Sequence, residues 1–417
     1  MVNSLGLLFV GAYLLRLAAA AAGTLINLKF GALDATGFHH VKASSLGFAI
    51  AGFYVAELLS APISGTLSDL WGRRRPLLLG PAFGIIAIPF VALSNALLGV
   101  FAAKLCQGLS AGVSTPPMLS ILADEAGEDE ARRGRVMAIF EAATVLGLGS
   151  GVVAAGFLWD LLHTWAFGPV AGLYGLSLLA LMTVPTHRPI TAGVGHWRLK
   201  ELITSLRHIL GLAPAWVAVN AVVGVWLSHA AFQLTRRKDP TQLLVGGFTG
   251  FEFGTAAGVV LLLFVVGVVA WGQVLGRVGS VRAMRIGLVG LGLTAVSLFL
   301  LNHSIGASHT RIVVLLLISA AGLLVMSGFT PAALSYLGAI SGRFEAERGT
   351  IMGIYSVLLG VGQLIGSSLG GIFADWRGVD GLIFLTAVLG GISAVFVLRL
   401  RAVPEAEPIG AGQPVPD

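Results

Sequence analysis

Charge is what this sequence has least of. Only 11% of its 417 residues are Asp, Glu, Lys or Arg, while 56% are hydrophobic and the mean hydropathy is +0.89. A soluble domain carries charge on roughly a quarter of its residues, so a fold surrounded by water is excluded. Cysteine is nearly missing too: Cys106 stands alone, and no disulfide can close within the chain. No Walker loop, HExxH helix, GxSxG elbow or paired Cys/His spacing occurs, and the polar segments are too short to fold a catalytic domain. These absences point away from an enzyme and from an ATP-driven pump, and imply neither a cofactor nor a bound metal. Short segments of alternating hydrophobicity, the mark of a membrane β-barrel, are lacking as well.

Long apolar runs are what the chain has instead. Twelve lie near residues 4–28, 44–68, 76–94, 97–122, 136–158, 165–184, 212–234, 248–271, 282–300, 311–337, 350–373 and 379–399. Each is long enough to cross about 30 Å of hydrocarbon as a helix. The fold class expected is therefore an all-α integral membrane protein of twelve helices. Its 57 glycines suit helices that approach closely in lipid. The Ala-rich start imitates a signal peptide but has no basic leader and carries Arg16 inside its apolar run, which favours a retained first helix.

The formal charge of +6 is distributed by topology rather than as a patch for nucleic acid. With the N-terminus in the cytoplasm, seventeen of the 26 basic residues fall on that side, among them Arg73 to Arg75, Arg132, Arg133, Arg135, Arg277 and Arg343. Lys29, Lys42, Arg236, Arg237, Lys238, Arg311 and Arg377 fall opposite, leaving only Arg16 and Lys104 within helices. This bias puts both termini in the cytoplasm of a cell (inner, cytoplasmic) membrane protein. Arg236 to Lys238 runs against the trend.

The chain divides into a six-helix bundle over 1–184, a cytoplasmic linker over 185–211 with an amphipathic part from His196, a second bundle over 212–402, and a polar, Pro-rich disordered tail over 403–417. The halves repeat. "TPPMLSIL" at Thr115 aligns with "TPAALSYL" at Thr330, and the same offset of 215 pairs Arg133 with Arg348, Gly147 with Gly362, Gly151 with Gly366, Gly156 with Gly371 and Asp160 with Asp375. An offset of 207 pairs Gly65 with Gly272 and Gly72 with Gly279. Two pseudo-symmetric bundles in one orientation suit alternating access about a midplane site.

"SGTLSDLWGRRR" from Ser64 resembles the loop signature GxLxDRxGR(R/K) of the major facilitator superfamily through Gly65, Leu67, Asp69, Gly72, Arg73 and Arg74, with Leu70 where the family has Arg. A weaker copy, "GQVLGRVGSVR", keeps Gly272, Arg277 and Gly279 but has Gly276 in place of the acid. "KLCQGLSAG" from Lys104 is similar to the family's RxxQGxGA, with Lys for Arg and Gln107 retained. "GLGSGVVAAG" from Gly147 is similar to the GxxxGPxxGG of proton-coupled drug antiporters, without its proline. The resemblance implies a transporter of twelve helices in which Asp69, Arg73 and their glycines form a gating latch between the bundles.

Ionisable side chains inside the membrane point to mechanism, because a central charge costs about 2.5–3.5 kcal/mol on insertion scales. Arg16 lies roughly 18 Å along the first helix and Glu57 roughly 12 Å above the end of the second, depths that allow an ion pair. That pair reads either as structural or as a proton-coupling site, with Glu57 taking the proton. Glu141, a third candidate for coupling, sits just inside the fifth helix, has Ser356 as its repeat mate, and is within reach of Arg135 or the latch. Lys104, His229 and Glu252 come out at one depth and are expected to share the outer cavity with Gln107 and Asn220. Each also has a plainer reading: Lys104 snorkels, His229 bonds a carbonyl, Glu252 caps its helix. A monomer that exchanges a small amphipathic compound for protons is the leading expectation. A carrier of organic anions held by Arg16 and Lys104 is the alternative, and a non-transporting receptor or assembly factor a third.

Overall fold

The computed structural model describes residues 2–37, 41–126, 130–185, 210–341 and 348–400. Elements in the first half are α1 (Val2–Ala35), α2 (Ala43–Trp71), α3 (Arg74–Ala92), α4 (Leu97–Ala126), α5 (Glu130–Leu162) and α6 (Phe167–Met182). Those in the second are α7 (Ala213–Thr235), α8 (Gly250–Val278), α9 (Ser280–Asn302), α10 (His309–Met326), α11 (Phe329–Ser341) and α12 (Arg348–Arg399). Most of the linker expected over 185–211, including its amphipathic part, and the tail over 403–417 lie outside the described residues.

Among the described residues, ten apolar helical stretches are long enough to cross a bilayer. Two of them, Arg135–Met182 with 48 residues and Ser356–Arg399 with 44, would reach over 60 Å at about 1.5 Å per residue, too far for one crossing. Both are broken midway. The first turns at His163, whose φ is 50°, through a short 3-10 segment, His163–Ala166. The second breaks at Arg377 (φ −144°) and Gly378 (φ 58°). Conversely, α10 and α11 make a single stretch, His309–Gly338. Counted this way, the described residues give twelve crossings, consistent with the twelve apolar runs. We call the end where the chain enters α1 the terminus end, and the other the distal end.

Within the first bundle α1 packs on α5 and α6, α2 on α4, and α3 on α4 and α6; within the second, α7 packs on the first arm of α12 and α9 on α10. The bundles meet along α1–α7, α2–α12 and α5–α8. The repeated glycines explain the closeness. A Cβ at Gly147 would lie 2.6 Å from the Tyr13 carbonyl oxygen, and one at Gly362 would lie 2.6 Å from that of Val217. Gly151 and Gly366 press in the same way against Leu17 and Ala221. Each bundle thus seats its fifth crossing on its first, as small-residue packing in lipid allows.

Lys29 departs from the expectation that it lies in a distal loop. It is inside α1 and 5% exposed, and its Nζ donates to the carbonyls of Val91 at 2.6 Å and Ser94 at 2.9 Å. The Val91 oxygen lies in the last turn of α3 and that of Ser94 just past its end, where a cation complements both the unpaired carbonyls and the helix dipole. The apolar run stops there because the ammonium finds its hydrogen bonds inside the protein rather than in water.

Candidate functional site

Halfway along α1, Arg16 turns toward α2 and α4. Its Nη1 stands 3.3 Å from Glu57 Oε1, and its Nη2 donates to Thr115 Oγ1 at 3.2 Å. Thr115 Oγ1 in turn donates to the Ala111 carbonyl at 2.8 Å. Glycines bring these helices together: a Cβ at Gly112 would lie 2.7 Å from the Glu57 carbonyl oxygen, and one at Gly147 would lie 3.1 Å from Arg16 Cβ. Pro117 cannot donate to Val113, four residues back, and the Ser64 hydroxyl of α2 supplies that bond at 2.6 Å. The ion pair that the helix depths allowed is therefore present, in a polar seam shared by three helices.

Farther along the same face of α4 stand Gln107 and Lys104, since residues 104, 107, 111 and 115 recur at the helical period. Lys104 is 5% exposed. Its Nζ lies 5.8 Å from the centre of the Phe53 ring and fills the space a Cβ at Gly23 would need, 2.8 Å away. No carboxylate or hydrogen-bond acceptor among the described residues meets it. Gln107 is fully buried with neither amide atom partnered, and Asn27, whose Nδ2 donates to Gly23 O at 3.1 Å, leaves Oδ1 unpartnered. Buried polar groups are usually satisfied. This group of helices can therefore offer a cation, an amide donor and two amide acceptors to something that enters.

The other candidates are placed elsewhere. His229 is buried between α7, α12 and α2, where Nε2 donates to the Ser367 carbonyl at 2.8 Å and the ring fits against Gly47 and Gly370. Glu252 is exposed and closes a capping box at the start of α8: Thr249 Oγ1 accepts from Glu252 N, and Glu252 Oε2 accepts from Thr249 N at 2.9 Å. The structure thus does not bring His229 and Glu252 to Lys104. Asn220 is buried and donates to Trp216 O of its own helix at 2.9 Å. It is the pseudo-symmetric mate of Arg16, because Gly147 presses on Arg16 as Gly362 presses on Asn220. Glu141 is exposed on α5 and has no ion-pair partner among the described residues.

At the terminus end, the two loop copies share one backbone. Gly72 has φ 85° and ψ 148°, and Gly279 has φ 82° and ψ 146°. Both values lie in the region that favours glycine. Arg73 donates to Ser120 O at 3.2 Å and pairs with the Asp124 carboxylate, while Arg74 donates to Met182 O at 3.4 Å. These contacts stay within the first bundle. Gly65 approaches Pro116, whereas Gly272 and Arg277 are exposed. The side chain of Asp69 lies outside the described ones.

At the distal end, polar contacts cross between the bundles. Arg236 Nε donates to Asp34 Oδ2 at 3.0 Å, and Asp34 Oδ1 accepts from Val41 N at 3.2 Å. Here the basic cluster that ran against the charge trend finds its acid, which sequence reasoning had not singled out. Asp160 accepts from Gly250 N and Phe251 N at 2.9 and 2.7 Å, and Asp375 from Ala43 N and Ser44 N at 2.6 and 3.0 Å. The pairing of these two acids in the repeat was the available signal.

With this geometry in hand, similarity to known proteins can be weighed. The sequence model of the Major Facilitator Superfamily matches residues 5–337 and 240–415. Multidrug resistance protein 2 of Bacillus subtilis is 21% identical over 345 residues, 81% of this chain and 81% of its own length. Quinolone resistance protein NorA of Staphylococcus aureus is 22% identical over 198 residues, 46% of this chain and 50% of its own. The crystal structure of a POT family transporter in complex with 5-aminolevulinic acid covers 94% of this chain and 95% of its own, with a TM-score of 0.70 at 15% identity. The likeness in structure carries the fold, and the family match spans both bundles: this chain belongs to the major facilitator superfamily of membrane transporters.

Proposed function

We propose that this protein is a proton-coupled efflux carrier for amphipathic small molecules, working as a monomer by alternating access. The observation that carries the reading is the Arg16–Glu57 pair, held at 3.3 Å between α1 and α2 and tied by Thr115 to α4. An ion pair at this depth is costly to keep and is held where charge is needed. A proton taken by Glu57 cancels the attraction and frees Arg16 and Thr115 to rearrange; loss of the proton re-forms the pair. Protonation is thereby linked to the packing of three helices, which is what coupling to a rocking motion requires. Resistance to drugs, named for the two bacterial relatives, supports amphipathic compounds as the substrate class.

The rocking units are the bundles 1–184 and 212–402. The charge bias supports a cell-membrane orientation with both termini on the cytoplasmic side and the distal end facing outward. The bundles touch at that end, and the latch around Asp69 engages when the terminus end closes. The deciding experiment is ethidium flux in proteoliposomes with an imposed pH gradient. Wild type is expected to respond to the gradient and Glu57→Gln to transport independently of it; gradient-independent flux by both removes proton coupling.

A second reading makes the substrate an organic anion. Lys104 favours it, being a buried cation with no carboxylate among the described residues. Replacing ethidium by a fluorescent carboxylate in the same vesicles separates the two, since only an anion carrier moves the latter and loses it with Lys104→Met.

A further inference from the structure

Asp160 in α5 and Asp375 in the first arm of α12 occupy equivalent places in the two repeats, 215 residues apart. Each follows a glycine by one helical turn. A Cβ at Gly156 would lie 2.4 Å from Gly250 O and 2.6 Å from Gly254 Cα; one at Gly371 would lie 2.5 Å from Ala43 O and 2.6 Å from Ser44 Cα. Both glycines therefore press on the backbone of a helix start in the opposite bundle. One turn farther on, each carboxylate takes two of the amides that a helix start leaves unpaired. Asp160 takes those of Gly250 and Phe251, and Asp375 takes those of Ala43 and Ser44 together with the Ser44 hydroxyl. A carboxylate suits the place because it accepts two bonds at once and meets the positive end of the helix dipole.

We propose that Asp160 and Asp375 form a two-fold symmetric gate that holds the distal ends of the bundles together and sets how often the cleft opens to that side, without touching the substrate. The inference rests on the alternating-access reading above. Among the described residues neither acid pairs with a side-chain cation: each bonds backbone amides of the helix start, Asp375 with the Ser44 hydroxyl besides, so a contact is lost when the helix start itself moves away. The two seams, α5 on α8 and α12 on α2, flank the Asp34–Arg236 pair between α1 and α7. Separating the bundles here breaks all three. The two loop copies at the terminus end lack this pairing of acids, because the repeat mate of Asp69 is Gly276. Two carboxylate contacts between the bundles at the distal end bias the resting protein toward the distal-closed state.

The test uses the full chain in lipid nanodiscs with Cys106→Ser and spin labels at Asn95 and Ile305, exposed turn residues of opposite bundles at the distal end. Distances are measured by pulsed electron resonance without substrate or pH gradient. Each of Asp160→Asn and Asp375→Asn should raise the distal-open population several-fold, and the double variant about tenfold or more. Ethidium affinity should stay unchanged while its maximal flux changes. An unaltered distance distribution in the double variant overturns the proposal. Should that variant not purify as a monodisperse protein, Ser44→Ala, which removes one donor to Asp375 and no charge, should shift the distribution in the same direction by less; no shift there is equally decisive. Failure of ethidium to move in wild type would count against the efflux reading and leave the distance result standing.

Discussion

Arg16 Nη1 and Glu57 Oε1 lie 3.3 Å apart, in side chains that are 16% and 25% exposed. This partial exposure decides the expected energetics. Breaking a fully buried pair costs about 3–5 kcal/mol, and exposed pairs contribute about 0–1; a double-mutant cycle of Arg16→Gln and Glu57→Gln should return a coupling of about 1–3 kcal/mol. Thermal unfolding of the purified protein measures it. Arg16→Gln alone should destabilise most, because it leaves Glu57 without a counter-charge among apolar helices. The double variant should recover part of the loss. Additive single effects would mean that the residues do not interact.

Repeated glycines allow an internal comparison. A Cβ at Gly366 would lie 1.9 Å from the Ala221 carbonyl oxygen, whereas nothing stands within 4 Å of one at Gly172 or Gly175 on α6. Gly366→Ala forces apart α7 and α12 and should cost about 1–3 kcal/mol as an overpacked contact. Gly172→Ala and Gly175→Ala should be neutral or stabilising by roughly 0.5 kcal/mol, through backbone entropy. Equal unfolding temperatures for all three would show that the fifth and first crossings of the second bundle do not depend on this approach.

Much of this architecture was legible in the sequence because lipid demands it: every crossing needs its apolar run, and every close seam needs its small residue. The Arg16–Glu57 contact was legible for the same reason, since a charge at depth requires a counter-charge at equal depth. Lys29 was not, because an ammonium that caps the end of α3 looks in the sequence like one that ends a span. Glu252 and His229 matched Lys104 in depth, but depth says nothing about which face of a helix a residue occupies. Asp160 and Asp375 carried a signal in their pairing, and only the approach of the opposite bundle gave that signal a partner.

The shared backbone of Gly72 and Gly279 yields a stability prediction. With φ at 85° and 82°, both lie where a Cβ clashes with its own chain, and neither has a neighbour within 4 Å to add further strain. Alanine at either place should therefore cost about 1–2 kcal/mol from conformation alone. The two costs should also be similar, because the conformations match. A large excess at Gly72 in unfolding measurements would show that this loop is held by something the second copy lacks, and would point to the Asp69 latch.

Lys104 should display opposite effects on stability and function. Its ammonium has the Phe53 ring at 5.8 Å and no acceptor among the described residues, an arrangement that costs desolvation without a compensating hydrogen bond. Lys104→Met keeps the stem length and removes the charge, so the unfolding temperature should rise by a few degrees, as when an unpaired buried charge is replaced by an apolar residue of similar volume. Transport should fall at the same time, most of all for compounds that carry a hydrogen-bond acceptor, because Gln107 and Asn27 alone then meet the polar group. Measuring unfolding and flux on one preparation separates the outcomes. A less stable variant would mean that Lys104 has a structural partner, and a stable variant with full flux for every compound would remove this residue from the binding region.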